Sequence, residues 1–75
     1  MDVILRQHVL TMAYRLDTDP ELPTDAPFTA ADRRDLADDI TIGHAALLLE
    51  AIPEVTAPIT RGGYAALLRE IAGVN

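Results

Sequence analysis

The residues able to do chemistry are few, and they form no catalytic pattern. The chain has two histidines, His8 and His44, and no cysteine, lysine or serine among its 75 residues. Missing serine removes every serine nucleophile, and missing lysine removes Schiff-base chemistry. Missing cysteine removes thiolate metal sites and any disulfide framework. A zinc site takes three or four ligands at suitable spacing. Two distant histidines and scattered carboxylates do not supply them. His44 lies inside an apolar run, where burial would demand a hydrogen-bond partner, so it is expected in a core or an interface rather than as a base. The chain is therefore expected not to be an enzyme, with no catalytic residue, no metal ligand set and no cofactor.

Charge is densest at Asp32, Asp35, Asp38 and Asp39. Spacings of three and four put Asp32, Asp35 and Asp39 on one helical face, where like charges repel by roughly 0.2–0.5 kcal/mol per pair. Arg33 and Arg34 partly offset them, and Arg34 stands four residues before Asp38. The face reads as a solvated surface or, functionally, as a docking face for a basic partner or a weak cation site. A calcium loop needs a turn glycine that this stretch lacks. Arg61-Gly62-Gly63-Tyr64 has two readings as well. Amides at a helix start can hold an anion, or the glycines can allow close packing before the last helix.

Helices must position these groups. Gly43–Ile52 is the most apolar stretch, rich in alanine and leucine, which are strong helix formers. At 100° per residue its apolar side chains cover nearly the whole circumference, the mark of a buried helix. The expected fold is all-α, a small three- to four-helix bundle around a central apolar helix at about 42–52. Asp2–Leu16 reads as the first helix, with Leu5, Val9, Met12 and Leu16 on one stripe and Val3, Leu10 and Tyr14 widening it. Such an arc exceeds what one neighbouring helix covers. Residues 17–27 contain Pro20, Pro23 and Pro27 and read as an acidic connector, with Leu22 as a candidate anchor. Thr29 is placed to cap a helix over Ala30–Ile40, with Asp32 as the reciprocal partner. Thr41-Ile42-Gly43 is expected to break the chain, a single helix from Ala30 to Ile52 being the alternative. Pro53 stops the central helix. Thr60 is placed to cap a last helix with Tyr64, Leu67, Leu68 and Ile71 on one stripe, and Gly73 stops it. The expected core is Leu5, Val9, Met12, Leu16, Leu36, Ile40, Leu47, Leu48, Ile52, Leu67, Leu68 and Ile71.

Size, acidity, the helical pattern and the long first connector resemble those of acyl carrier proteins. That resemblance implies a four-helix bundle carrying phosphopantetheine on the serine of an Asp-Ser-Leu motif at the start of the second main helix. Here Ala37-Asp38-Asp39-Ile40 lies at the similar distance from the N-terminus. Asp39 stands where the serine would be, so pantetheine attachment is excluded. The segment after Ile52 is also short for the usual third and fourth helices.

One domain over residues 1–75 is expected, near the lower size limit for a self-sufficient core. The net charge of −6 and pI of about 4.5 disfavour nucleic-acid phosphates and anionic membranes. With no cysteine and no secretory pattern, a cytoplasmic protein is expected. All six basic residues are arginine, which fits a high-GC bacterial source. The expected function is a non-enzymatic interaction module, such as an accessory subunit, adaptor or inhibitor, that binds a protein partner or self-associates as a homodimer. Its expected partner-binding residues are Val3, Leu10 and Tyr14 on the apolar arc and Asp32, Asp35 and Asp39 on the acidic rim. Two alternatives stand beside it. One is a carrier-like or small-molecule-binding bundle without a prosthetic group, with a cavity near His44 and Asp39. The other is a helix-turn-helix DNA-binding regulator, which needs Arg61, Arg69 and Arg33 or Arg34 on one face.

Overall fold

Three of the four helices begin at a side-chain oxygen. In the computed structural model, which describes residues 1–73, the four helices are α1 (Val3–Thr18), α2 (Ala30–Ile40), α3 (Ala45–Ala51) and α4 (Arg61–Ile71), and α3 is the one without such a cap. A helix N-terminus has amides with no internal partner, and a nearby oxygen stabilises it by about 1 kcal/mol. Asp2 Oδ1 accepts from the Leu5 amide at 2.8 Å. Thr60 Oγ1 accepts from Gly63 at 3.0 Å. Thr29 and Asp32 form the full reciprocal box, each side chain taking the other's amide. The bounds expected for α2 hold, and α1 and α4 agree with expectation to within two residues. The all-α bundle holds as well: four helices and no strand among the described residues.

The helix at the centre is α1, which touches the other three helices, whereas α4 packs on α1 and on no other helix. Val9, Met12, Ala13 and Leu16 are buried along it, and Leu5 and Leu10 are half-buried against the core. On one side α4 contributes Tyr64, Ala65 and Leu68; on the other α2 and α3, which pack together, contribute Ala37 and Leu48. Alanines are frequent at these contacts because a small side chain lets short helices approach closely. The radius of gyration is 11.3 Å, against about 11 Å for a well-packed chain of this length, so the apolar surface described below does not come from helices splayed apart.

The acidic connector is pinned. Phe28 donates its amide to the Ile59 carbonyl at 2.9 Å, Arg61 to Ala26 at 2.9 Å and Gly62 to Thr24 at 2.8 Å. Pro27 and Thr60 meet in an isolated antiparallel bridge. The approach at Gly62 is so close that a Cβ there would lie 3.2 Å from the Thr24 carbonyl oxygen, which is backbone and cannot turn aside. The anchor of the connector is Phe28 and not Leu22, which is exposed. The Phe28 ring stacks on Tyr64 with centroids 4.5 Å apart and planes 28° apart. Sequence periodicity misses Phe28 because it lies outside any helix.

The largest departure from expectation is at 42–52. Helix α3 is only seven residues long and buries Leu48 alone, with Ile52 buried just beyond its end. The chain reverses at Thr41–His44, where Gly43 has φ +84°, a backbone conformation open to glycine at little cost. Ile42 and Leu47 consequently face solvent, and Leu67 and Ile71 on α4 are also exposed. This mostly apolar segment therefore forms the edge of the bundle rather than its middle, because a single long amphipathic helix is better able to contact three neighbours. Replacing Phe28 by alanine is expected to destabilise the protein by about 3–5 kcal/mol. Leu22→Ala should shift stability by no more than about 0.5 kcal/mol. Urea unfolding of the two variants checks this.

Candidate functional site

Helix α3 cannot hold itself. Two turns of apolar helix are far below the length at which an isolated helix forms in water, and its last carbonyls lack internal donors. Arg33 on α2 supplies the donors. Its Nε donates to the Pro53 carbonyl at 2.9 Å, and its Nη2 to Leu49 at 2.6 Å and Ile52 at 3.1 Å. A cation at a helix C-terminus also complements the helix dipole. The Tyr64 hydroxyl donates to the same Pro53 carbonyl at 2.5 Å. Burial raises the Tyr64 phenol above its ordinary value of 10.0, and the Arg33 guanidinium beside it pulls it part of the way back.

This clamp fixes the rotation of α3, with Leu48 turned into the core and Leu47 turned out. The first turn of α1 lies alongside and turns Val3 and Ile4 out as well. Between them runs a cleft of about 900 Å³. Its floor is Leu5, Ile40, Leu48 and Ala51, and its walls are Val3 and Ile4 on one side and Leu47 on the other. The wall residues are 71%, 67% and 65% exposed respectively. Exposed apolar residues are ordinary when scattered singly, but here three large ones line a single cleft. The polar residues lining the cleft are Asp2, Glu50, His8, His44 and Thr41. No arginine reaches it.

A second depression, of about 460 Å³, contains the acidic face. Asp32, Asp35 and Asp39 line it together with Arg15, Asp19 and Arg61. Its groups are largely engaged with one another. Asp32 is taken by the Thr29 box, Asp39 pairs with Arg15 at 3.9 Å, and Asp19 pairs with Arg61 at 3.4 Å. The Arg61 side chain is only 12% exposed, and its Nε has no hydrogen-bond partner. Among the described residues no three histidine or carboxylate groups converge as metal ligands.

Of the six expected contact residues, Val3 alone lines the cleft. Tyr14 is exposed and Leu10 half-buried, and neither lines either depression. His8 and His44 come together at the cleft, whereas Asp39 lies in the other depression, so the cavity expected near both His44 and Asp39 is divided in two. The arginines do not converge on one open face. Arg33 clamps α3, Arg61 pairs with Asp19 and Arg69 with Asp17. Arg33 thus works on carbonyls and not on the acidic cluster around it, and Arg34 makes no ion pair with Asp38 among the described residues. The amides of Gly62 and Gly63 are occupied by Thr24 and Thr60 and are not open to an anion. Sequence reasoning missed Ile4 as a surface residue. It falls among Thr11, Arg15 and His8 on the polar strip of α1, and a large apolar residue on a polar strip is a usable signal. It also missed Arg33, for which no sequence signal existed, since its acceptors depend on where the 41–44 turn sends α3.

No family model matches this chain, and neither the curated proteins nor the solved structures include a match to it.

Leu47→Asp is expected to leave stability within about 0.5 kcal/mol of the parent, whereas Leu48→Ala, one residue on, should cost about 2–5 kcal/mol. Thermal and urea unfolding of the pair tests the outward rotation of α3. The Tyr64 shift has its own signature. A phenol whose folded-state pKa is raised contributes full stability below pH 10.0, and loses it as pH rises from there through the folded value. Urea midpoints at about pH 9 and about pH 11 should therefore fall more for the parent than for Tyr64→Phe.

Proposed function

We propose that this chain is a non-enzymatic interaction module that holds a partner protein at the cleft between α1 and α3. The observation that carries this reading is that Val3, Ile4 and Leu47, all largely exposed, line one apolar cleft together, whereas the exposed Ile42, Tyr14 and Leu22 line no such cleft. A chain this small has little apolar surface to spare from its core, and a partner that covers these side chains would stabilise the fold as well as bind it. The interaction residues are therefore Val3, Ile4 and Leu47, with Asp2 and Glu50 at the rim. Tyr14 and the acidic face on α2 lie outside this contact. A role as accessory subunit, adaptor or inhibitor fits this size, and the lack of cysteine agrees with a cytoplasmic setting. No described helix is long and apolar enough to cross a membrane.

Photo-cross-linking in the native cell tests the reading. A photoreactive residue at Leu47 or Ile4 should give a discrete protein adduct, while one at Ala66, exposed on α4 and away from the cleft, should not. Adducts from Ala66 and none from Leu47 or Ile4 would reject the cleft as the contact.

A further inference from the structure

The chemistry of the occupant can be read from the cleft itself. We propose that the α1/α3 cleft takes an amphipathic helix of a different protein, with an apolar stripe that sits on Val3, Ile4 and Leu47 and with lysine or arginine flanking that stripe. The inference rests on the interaction-module reading and specifies its partner.

Three observations select this occupant. The first is shape. Two helices form the walls, the floor is aliphatic, and no described strand offers an edge for an extended peptide to extend. A helix laid into a groove with anchors at i, i+3, i+4 and i+7 is the recognition mode that matches such walls. The second is openness. The wall residues are exposed along their length, so a small ligand in the cleft would keep much of its own apolar surface wet, whereas small-molecule sites bury roughly 70–90% of theirs. A helix covers the walls from above.

The third observation is charge. The acidic side chains lining the cleft are Asp2 and Glu50, and no arginine lines it; the histidines are His8 and His44. Of the six arginines, Arg6 donates to the Ala72 carbonyl, Arg33 to α3, and Arg15, Arg61 and Arg69 pair with Asp39, Asp19 and Asp17, so five are turned to the chain's own acceptors. The whole chain carries −6. Cationic flanks on the partner would meet these carboxylates and be steered toward them. The same charges count against a second copy. An isologous dimer through this face would bring Asp2 and Glu50 of each protomer against the like groups of the other, between two bodies of charge −6. They count equally against a fatty-acid head or an anionic membrane.

The experiment uses three helix-stapled peptides and the intact chain. One carries leucine at i, i+3, i+4 and i+7 with lysine elsewhere. One has the same stripe with glutamate in place of lysine. One has the lysine composition with the leucine stripe scrambled. Binding is followed by amide shifts of the ¹⁵N-labelled protein. The leucine–lysine peptide is expected to shift residues of the first turn of α1 and of α3. The leucine–glutamate and scrambled peptides should each bind at least about tenfold more weakly. Leu47→Asp and Ile4→Asp, checked for unchanged circular dichroism, should weaken the leucine–lysine peptide by a similar factor, and rising salt should weaken it further. Equal binding of the lysine and glutamate peptides would overturn the cationic partner and leave the interaction module standing. Equal binding of the scrambled peptide, shifts elsewhere on the surface, or no binding by either striped peptide would overturn the helix in the cleft. A concentration-dependent dimer that Leu47→Asp dissociates would replace it with a second copy. The cross-linking result stands apart from all of these, so a wrong partner chemistry and a wrong binding face can be told apart.

Discussion

The carbonyl of Pro53 is where the parts of this protein are joined. Arg33 from α2 and Tyr64 from α4 both donate to it, and the same guanidinium reaches Leu49 and Ile52. The backbones of α2 and α4 do not pack on each other, so this junction of Arg33, Tyr64 and the Pro53 carbonyl, with the Phe28–Tyr64 stack beside it, links one side of α1 to the other. It also solves the local problem of α3. A two-turn apolar helix gains too little from its own backbone to persist, and its open carbonyl end would be costly at a partly buried site. A guanidinium suits this end, since its planar fork can reach several carbonyls at once while remaining charged.

That junction sets the surface. Holding α3 by its C-terminal end fixes which of Leu47 and Leu48 faces inward, and only one of the two adjacent leucines can do so. The other then stands beside Val3 and Ile4 with no described residue covering it. The first turn of α1 lies beside α3 with Leu5 packed against the core, which leaves Val3 and Ile4 on its outer side. The apolar cleft thus arises from geometry that the fold needs for its own stability. Its acidic rim follows from the arginines, most of which serve as internal donors and leave the carboxylates to dominate the outside.

The elements with strong local signals were legible in the sequence. Thr29 with Asp32, Thr60 before the glycines, and the Thr41–Gly43 break each rest on chemistry within a few residues, and the helices start and stop there. The α1 stripe of Val9, Met12 and Leu16 was readable because a 3.6-residue period maps directly onto a buried face. The excess arc on α1 was also readable, and Val3 from that arc lines the cleft. Leu22 and Phe28 show where such reading stops. Leu22 lies in the proline-rich connector and Phe28 directly after it, neither with any periodicity, and only the pairing of 24–28 with 59–62 places Phe28 on Tyr64.

The sequence by itself determined an all-α, acidic chain without nucleophilic serine, thiol or lysine, and it determined where α1, α2 and α4 begin, because capping and periodicity act over a few residues. Only the tertiary structure decided which helix lies at the centre. An apolar segment can be buried in a core or left at an edge, and the choice depends on how many neighbours can reach it. Residues 42–52 looked like a core because they are apolar around nearly the whole circumference. The turn at Gly43 and the grip of Arg33 on the far end hold them at the rim, where one face packs through Leu48 and the other stays open.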